Sequence, residues 1–419
     1  MPPTDWNAFI RKHREDIARS TGPLAGVRVI DLGSVVAAPF GATVLADYGA
    51  EVIKIEPPSV PDAIRYWAMV DERHQPFWLA TSRNKLPITL NLKHAAGQKI
   101  LRELVIQSDV LLENMRPGTL DRLGFPAQAL WELNPGLIIG RISGYGQTGP
   151  YAAKPGFGTL AEAMSGFTFM NAHPGGPPTN PPLALADMIA GLHLAFGVVM
   201  ALRGQQRGVS GGQELDLSLY EPLFNFMGSD FLIYALSGRP PQPTGNESHY
   251  TSPRNSYRTQ DGKWVVLSAS SQAPFERLLD LVGHPELKTA PGYRNNQERI
   301  QSDSRRVLNQ IIGDWIAARS LADVLDACEH AGVTIGPVYD METIAKDPHV
   351  QARGSIIQLV EPDSGKTIPF PNVPIRFSAT PGQVRFPGLP MGAANAVILH
   401  DLLGYSADDI AALKSAGAI

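Results

Sequence analysis

The feature that most constrains the fold of this chain is the alternation of short apolar strands with helices in its first third. Residues 27–32 (Val-Arg-Val-Ile-Asp-Leu) and 51–56 (Glu-Val-Ile-Lys-Ile-Glu) have the composition of buried strands, and the segment between them begins a helix at Pro39 and ends it at Gly49. Proline in the first turn and glycine just beyond the last turn are the usual boundaries of a helix. These residues therefore predict one strand–helix–strand unit.

The same pattern repeats downstream, with a helix predicted over residues 94–107 and strands over 87–91, 109–113 and 137–143. Alternation of this kind predicts the α/β class, with a parallel sheet that is covered by helices on both faces. Ligands of such sheets bind beyond the carboxyl ends of the strands. The loops at those ends, which we expect to build the functional site, are residues 32–38, 56–58, 114–118 and 143–149.

The rest of the chain predicts a second, smaller α/β unit that follows a linker. Pro, Asn and Ser are frequent between residues 238 and 257, which is typical of a linker. The elements predicted before it are an apolar helix at 188–202, a strand at 214–219 and an apolar helix at 222–236. Those predicted after it are a strand at 263–268 and helices at 273–282, 299–319 and 321–331, the last with a capping pattern at Ser320 and Asp323.

The composition narrows the possible function classes. Apolar residues make up 43% of the chain and charged residues 18%, so the chain can bury a large core. Its 36 basic and 40 acidic side chains include no Lys/Arg block, so we expect no nucleic-acid partner. Residues 1–22 lack the apolar stretch of a signal peptide, and the apolar run 188–202 is too short to span a bilayer. We therefore expect a cytoplasmic location and no membrane partner, and the single cysteine, Cys328, excludes an internal disulfide.

Several common catalytic motifs are absent from the sequence. The first turn, Gly33 to Pro39, lacks the glycine spacing of a dinucleotide-binding loop, and Glu56 is then an ordinary strand-end carboxylate. No His-Glu-x-x-His or similar ligand spacing occurs, so we expect no metal site. A Gly-x-Ser-x-Gly nucleophile motif is also missing, which argues against acyl transfer through serine.

Asp187 is the candidate catalytic residue. It is a lone acid ahead of the apolar helix, in the stretch from Pro181 to Gly197. On these residues alone its simplest role is an N-cap, because aspartate is favoured at that position. Capping and catalysis are compatible, since the N-terminus of a helix favours an ionised carboxylate and a nucleophile must be ionised.

A series of ordered motifs resembles the class III CoA-transferases, the CaiB/BaiF family, which includes formyl-CoA transferase and α-methylacyl-CoA racemase. The match covers nearly the whole chain and includes Asp187. Its other segments are residues 23–32, 49–57, 83–85, 90–93, 113–124, 144–150, 336–338, 347–349 and 403–409. The resemblance implies that CoA moves from an acyl-CoA donor to a small carboxylic acid acceptor, with coenzyme A and acyl-CoA as substrates and no permanently bound cofactor.

The resemblance also implies an architecture and a set of site residues. The architecture is a Rossmann-like parallel-sheet large domain plus a smaller α/β domain, in a homodimer of two interlocked rings. The implied segments are an N-terminal extension (1–22), the first part of the large domain (23–220), a helix and linker (221–257), the small domain (258–335), and a return linker with the C-terminal part of the large domain (336–419). The residues that match the family's catalytic aspartate and its CoA contacts are Asp187 and, for CoA, Val36, Ala37, Leu90, Lys93, Asn114, Met115, Arg116, Arg122 and Lys154.

The chain departs from formyl-CoA transferase at two places. Pro57 stands where that enzyme has a basic residue after the strand-end glutamate, which leaves Arg65 or Arg83 as replacement partners for a phosphate. The glycine-rich loop that covers the active site of that enzyme has no counterpart between Ser252 and Asp261. We therefore do not expect the oxalate and formate specificity of that enzyme.

Three functions are compatible with these residues: a CoA-transferase, a racemase or epimerase acting beside the thioester, and a CoA-binding protein without catalysis. A racemase needs two acid/base groups, and the His-Asp pair of the racemase branch aligns with Phe157 and Gly158 here. Phenylalanine carries no proton, which favours the transferase. An aspartate of ordinary pKa, about 3.9, needs no general base at neutral pH, so Asp187 would attack the thioester directly. Main-chain amides near residues 188–190 are the candidates for holding the oxyanions.

Overall fold

The central feature of the computed structural model is a six-stranded sheet in which every pairing is parallel. The structure describes residues 5–71, 74–362 and 364–419. The strands are β1 Arg28–Asp31, β2 Glu51–Glu56, β3 Lys85–Thr89, β4 Val110–Glu113, β5 Ile138–Ser143 and β6 Glu214–Ser218. Their order is β3-β2-β1-β4-β5-β6, and every residue of β2 to β5 is buried, as the parallel α/β prediction requires.

Helices connect these strands and continue through the rest of the described chain. Short single-turn segments of other helix types occur at Ala63–Tyr66, Pro285–Lys288 and Ile398–Leu402. The α-helices are α1 Trp6–Ala18, α2 Ala37–Asp47, α3 Pro76–Thr81, α4 Ala95–Ile106, α5 Thr119–Arg122, α6 Ala127–Leu133, α7 Gly158–Met164, α8 Phe167–Met170, α9 Leu185–Gln206, α10 Glu221–Phe226, α11 Gly228–Ser237, α12 Gln272–Val282, α13 Asn296–Arg299, α14 Ser302–Ala317, α15 Leu321–Ala331, α16 Met341–Lys346, α17 Pro348–Ala352, α18 Asn395–Val397 and α19 Ala407–Ser415.

The two faces of the sheet carry two separate apolar cores. Successive strand residues point to opposite faces, so Val29 belongs to one core and Ile30 to the other. On the Ile30 face the sheet packs against α1, α4, α6 and the segment around Ile398. On the Val29 face it packs against α2 and α9. Both helices of the second core begin at the carboxyl edge of the sheet, where the site is expected.

Helices α2 and α9 cross at a glycine contact that brings their first turns together. A Cβ on Gly191 would lie 2.4 Å from the Ala37 carbonyl oxygen, and one on Gly41 would lie 2.7 Å from the Gly191 carbonyl oxygen. These distances are too short for a side chain, so only glycine permits this approach. Because Asp187 is one turn before Gly191, the crossing places it beside the start of α2.

Helix α9 differs from its prediction in length. It has 22 residues rather than the apolar run 188–202, because residues 185–187 extend it upstream and residues 203–206 extend it downstream. Its length, and the mean hydropathy of 1.9 over an 18-residue window of it, would suffice to cross a membrane, so the expectation that this segment is too short was wrong. One face of α9 is nevertheless buried against α2 and the sheet, as in a core helix.

The contacts within the chain divide it into two compact units. The large unit consists of the residues up to Phe167, Asn180–Ser229 and His349–Ile419, and the small unit of Thr168–Thr179 and Asp230–Pro348. The remaining strands are β7 Arg254–Arg258, β8 Trp264–Ser268, β9 Ile335–Pro337, β10 Ile356–Val360 and β11 Thr367–Pro371. The large unit holds the six-stranded sheet and the antiparallel hairpin of β10 and β11. The small unit holds an antiparallel sheet in the order β7-β8-β9 with α12, α14 and α15 packed around Phe275. The predicted segment boundaries after residues 220, 257 and 335, like the interlocked dimer, stay predictions.

Candidate active site

A cavity of about 520 Å³ opens at the carboxyl edge of the large-unit sheet, where ligands of parallel sheets bind. Three of the four predicted loops line it, those after β1, β4 and β5, and the chain after β2 contributes Trp67 rather than residues 56–58. Residues at and before the starts of α7 and α9, together with Leu219 after β6, complete the lining. The lining includes Ser34, Val36, Ala37, Asn114, Ser143, Phe157, Gly158, Thr159, Glu162 and Asp187.

The turn after β1 is fixed by hydrogen bonds between its main chain and buried side chains. The Gly33 carbonyl accepts from the Lys54 ammonium, and the Val35 N–H donates to both carboxylate oxygens of Asp62 at 3.1 Å. Lys54 and Asp62 form an ion pair, 3.5 Å between Nζ and Oδ2, with side chains only 1% and 2% exposed. Val35 has a φ of +64°, which is costly for a β-branched residue. The buried pair therefore holds a strained turn as one wall of the cavity.

Asn114 joins this turn to the loop after β4. Its side-chain oxygen accepts from the Ser34 N–H at 2.8 Å, and its side-chain amide donates to the Ser34 carbonyl, also at 2.8 Å. Both ends of the side-chain amide are therefore engaged. For the predicted CoA contact, Asn114 retains its main chain, the second N–H of its side-chain amide and the second lone pair of its side-chain oxygen.

Asp187 lies in the first turn of α9, and it is not the N-cap. The N-cap is Ala184, which forms no side-chain capping bond, and Asp187 is the third helical residue. The interpretation of Asp187 as an N-cap was therefore wrong, because the helix begins before the apolar run that marks it in the sequence. A carboxylate in the first turn still benefits from the positive end of the helix dipole.

The amides at residues 188–190 are not available to hold an oxyanion. The Met188 N–H donates to the Ala184 carbonyl at 3.0 Å, and the amides after it lie deeper in the same helix. Amides without a helical partner occur instead at the start of α2. The first hydrogen bond of this helix runs from the Phe40 N–H to the Val36 carbonyl. The N–H groups of Ala37 and Ala38 therefore have no partner inside the helix.

Gly158 makes room for the carboxylate of Asp187. A Cβ added at Gly158 would lie 2.0 Å from Asp187 Oδ2 and 2.8 Å from its Cγ. Any other residue with this backbone would push the carboxylate from its place. The position that aligns with the aspartate of the racemase branch therefore serves here as a space for Asp187.

Glu162, on α7, is a second carboxylate in the cavity and is only 2% exposed. Its Oε1 accepts a hydrogen bond from the Ala186 N–H at 3.2 Å. This bond gives α9 the capping that Ala184 lacks, because it satisfies an N–H of the first turn. Among the described residues that line the cavity there is no lysine, arginine or histidine, so no cation compensates Glu162 and Asp187.

Burial, and after it the charge of Glu162, raise the pKa of Asp187 from 3.8 to about 6. The expectation of an ordinary pKa was therefore wrong, because the sequence does not show how deeply the carboxyl is buried. At pH 7 a carboxyl with a pKa of about 6 is still ionised in roughly nine molecules of ten. Asp187 thus stays competent as a nucleophile at neutral pH.

Of the predicted CoA contacts, Val36, Ala37 and Asn114 line the same cavity as Asp187. The structure places the other residues outside that lining, and their roles stay predictions. Leu90 is buried, and its side chain and that of the partly buried Met115 pack in the core. The remaining contacts are exposed cations: Lys93, Arg116, Arg122 and Lys154.

Arg65 and Arg83, the candidates to replace the basic residue that is missing at Pro57, are each paired with a carboxylate. Arg65 binds the Glu56 carboxylate through two hydrogen bonds, 2.8 Å from Nε to Oε1 and 2.6 Å from Nη2 to Oε2. Arg83 forms the same kind of pair with Asp47, 2.6 Å from Nη2 to Oδ2, at the far end of α2 from the cavity. Both arginines neutralise buried carboxylates, and the suggestion that one of them binds a phosphate stays a prediction.

Within residues 5–71, 74–362 and 364–419, no group of three or more His, Cys, Asp or Glu side chains is placed to hold a metal ion.

The family model described as CoA-transferase family III matches residues 24–395. The chain belongs to this family. The resemblance to class III CoA-transferases that the motifs indicate is thereby confirmed.

This CoA-transferase is similar to two enzymes of Chloroflexus aurantiacus. One is the succinyl-CoA–L-malate CoA-transferase beta subunit, 38% identical, with 96% of this chain and 99% of the relative covered. The other is succinyl-CoA–D-citramalate CoA-transferase, 39% identical, with 95% and 98% covered. The crystal structure of a CaiB/BaiF family protein from Brucella suis matches with a TM-score of 0.79 at 28% identity, covering 91% of this chain and 99% of that one.

The enzyme transfers CoA from an acyl-CoA donor to a carboxylic acid acceptor, and CoA thioesters are its substrates. The predicted activity is therefore confirmed, and the racemase and the non-catalytic CoA-binding protein lose their support. The cavity agrees with this choice. Phe157 and Gly158 line it at the positions where the racemase branch has its His-Asp pair, and neither side chain can transfer a proton.

Proposed function

We propose that Asp187 is the nucleophile that carries first the acyl group and then CoA during transfer. The observation that supports this role is the placement of its carboxylate. The carboxylate of Asp187 faces the cavity beside the first turn of α2. No hydrogen bond from the described part of the chain contributes to the pKa of this carboxyl. An ionised carboxylate without such partners keeps its lone pairs available for attack on a carbonyl carbon.

The proposed reaction exchanges CoA through two covalent states of Asp187. Its oxygen attacks the acyl carbon of the donor, the carbon–sulfur bond breaks, and CoA leaves as a thiolate from a mixed anhydride. The thiolate then attacks Cγ of Asp187, and the donor acid leaves as a carboxylate. An acceptor carboxylate attacks the resulting thioester at Cγ, and the released thiolate attacks the acceptor's acyl carbon and frees Asp187. No net proton is transferred, so no general base is needed.

The N-terminus of α2 is the candidate oxyanion site. The N–H groups of Ala37 and Ala38 have no partner in the helix, and Ala37 lines the cavity. The glycine crossing of α2 and α9 brings these amides beside Asp187. Preorganised amides stabilise the charge that develops on a carbonyl oxygen in a tetrahedral intermediate. We therefore assign them that role.

The exposed cations after β3, β4 and β5 are the proposed partners of the CoA phosphates. Lys93 and Arg116 have no side-chain partner in the described part of the chain, and Arg122 binds only Thr119 Oγ1, at 2.9 Å. Lys154 stacks on the ring of Tyr151, with its Nζ 3.5 Å from the ring centroid. Cations without carboxylate partners are available for phosphate oxygens.

For the acids, we propose succinyl-CoA as the donor and malate or citramalate as the acceptor. The support is the names of the two relatives from Chloroflexus aurantiacus, which this chain matches over nearly its whole length. The described lining of the cavity offers hydroxyl groups to such acids: those of Ser34, Ser143 and Thr159. The Ser143 hydroxyl is buried without a hydrogen-bond partner in the described chain, so it is free to donate to a bound acid.

We also propose a homodimer in the cytoplasm, without a membrane partner. Helix α9 leaves Leu192, Phe196 and Met200 exposed to 50%, 61% and 55%, and the apolar helix α11 has no buried residue. Apolar surface of this extent is typical of an interface, and a two-fold pair of subunits would cover it. The free thiol of Cys328 suits a reducing compartment.

A product screen tests the proposed function. Acyl-CoA donors are incubated with acids and the product masses are recorded for the wild type, Asp187→Asn and the control Asp314→Asn, which changes an exposed residue of α14. The wild type and the control should convert succinyl-CoA and malate or citramalate to the new thioester, and Asp187→Asn should lose at least about 10³-fold in rate. Uptake of solvent deuterium at the α-carbon without any CoA transfer would contradict the proposal and give Asp187 an acid/base role.

A further inference from the structure

We propose that Glu162 is a positioning residue whose buried charge, beside Asp187, drives the nucleophile toward its uncharged covalent states. The inference rests on Asp187 being the nucleophile, as proposed above. Glu162 does not touch the reacting atoms in this scheme. It acts on the equilibrium between the free carboxylate and the acylated carboxyl of Asp187.

The position of Glu162 is fixed by the structure around it. Its Oε1 accepts from the N–H of Ala186, the residue immediately before Asp187, at 3.2 Å. The side chain is 2% exposed, so water screens its charge only weakly. In the described part of the chain no ion pair involves Glu162, and its carboxylate is therefore not neutralised by a cation.

No other charge in the described elements that pack on α9 competes with Glu162. The causes that raise the pKa of Asp187 are burial and, second, Glu162, and they include no other residue. Each of the other titratable groups on these elements has its own partner. These groups are Asp47 with Arg83, Arg141 with Glu113, Asp121 and Glu214, Asp216 with the Gln147 N–H, and Glu221 with Ser218. On α9 itself, His193 binds the Ile189 carbonyl, and Arg203 lies in the last turn, at the opposite end of the helix from Asp187.

Protonation and acylation change the charge of Asp187 in the same way. Each converts the carboxylate to a neutral group. Once the displaced thiolate or carboxylate has left the cavity, a neighbouring anion therefore favours both products by the same free energy. Burial is the larger cause of the rise in pKa from 3.8 to about 6, so Glu162 accounts for less than half of it. The share of Glu162 is therefore at most about one pKa unit, which corresponds to a tenfold change in an equilibrium constant.

The test compares the wild type with Glu162→Gln, which removes the charge and keeps an amide oxygen to accept from Ala186. The acid limb of the kcat/KM profile should move to lower pH by up to about one unit. After incubation with succinyl-CoA and an acid quench, the ratio of covalent adduct at Asp187 to free enzyme should fall by up to about tenfold. The control is Glu132→Gln, an exposed residue of α6, which should match the wild type in both measurements.

If Glu162→Gln leaves either the acid limb of the kcat/KM profile or the adduct ratio unchanged, the inference is overturned. The protonated and the acylated forms of Asp187 are both uncharged, so loss of the Glu162 charge must affect both. A wild type that forms no adduct overturns the proposed nucleophile instead, so the two failures are distinguishable. If thermal unfolding shows that Glu162→Gln is not folded, Glu162→Asp and Glu162→Asn provide the same comparison of a charged and a neutral residue with a shorter side chain. A merely structural role for Glu162 would lower the rate without moving the pH limb.

Discussion

Replacing Gly158 with alanine tests whether the space beside Asp187 is required for the reaction. The added Cβ would lie 2.0 Å from Oδ2 of Asp187, whereas real Cβ atoms essentially never come within 3.0 Å of such a neighbour. The carboxylate must therefore move by about 1 Å. A displacement of about 1 Å in a reacting group costs on the order of 10²-fold in rate. This corresponds to about 2.7 kcal/mol of transition-state stabilisation.

The same substitution should leave the fold intact. Gly158 does not have a positive φ, and alanine is a better helix former than glycine by up to about 1 kcal/mol. The group that must move is the end of the Asp187 side chain, which can rotate into the cavity without disturbing the core. We therefore expect an unfolding temperature at or above that of the wild type, together with the loss in kcat/KM.

The assay measures steady-state transfer from succinyl-CoA to malate, with thermal unfolding measured on the same samples. Gly313→Ala is the matched control, because its Cβ would meet Tyr257 at an ordinary 3.6 Å on another helix, α14. The control should retain wild-type kcat/KM. A Gly158→Ala enzyme with nearly wild-type kcat/KM would refute the reasoning, and a loss of activity matched by a loss of folding would point to packing instead.

Three further predictions concern charge, CoA binding and assembly. Because folding raises the pKa of Asp187 to about 6, its ionised form destabilises the fold above that pH. Asp187→Asn should raise the free energy of unfolding at pH 7 by up to about 3 kcal/mol, and denaturant titrations should show the gain fading below pH 6 and absent below pH 3.8. Lys93→Ala and Arg122→Ala should raise KM for the acyl-CoA with little change in kcat, while Lys99→Ala should match the wild type. Sedimentation at micromolar concentration should show a dimer, and a stable, folded monomer as the main species would contradict the proposed assembly.

The strands and helices with strong local signals could be predicted from the sequence. The strand over 51–56 and the helix over 321–331 have the predicted bounds in β2 and α15. The cap of α15 is also confirmed, because the Asp323 N–H donates to Ser320 Oγ at 3.2 Å. These elements are defined by apolar periodicity and by capping residues, which act within a few positions of the chain.

Other elements were predicted incorrectly because tertiary contacts decide them. The helix predicted over 222–236 is two helices, α10 and α11, with Met227 between them. The predicted linker contains the first residues of β7, which forms only because β8 pairs with it. The polar N-terminal segment contains α1, whose Ile10 and Ile17 are buried, although its many charged residues do not mark a core helix.

The site shows the same division between local and long-range information. Asp187 was identified through the family's motifs, and the loops after β1, β4 and β5 through the rule for parallel sheets. The roles of Gly158 and Glu162 were missed, because they depend on contacts with α9 across at least 24 positions of the sequence. Glu162 did carry a signal, as a lone acid in the apolar stretch 160–164, which is the same pattern that marked Asp187.

Transfer of ¹⁸O from the acceptor acid to Asp187 tests the proposed mechanism most directly. In the proposed reaction the acceptor carboxylate attacks Cγ of Asp187, and the thiolate then takes the acyl group and leaves the acceptor's oxygen on the aspartate. With ¹⁸O-labelled malate and unlabelled succinyl-CoA, mass spectrometry should find one heavy oxygen in the peptide that contains Asp187 after a single turnover. No other peptide should carry the label. Complete CoA transfer that leaves this peptide unlabelled would contradict the covalent role of Asp187.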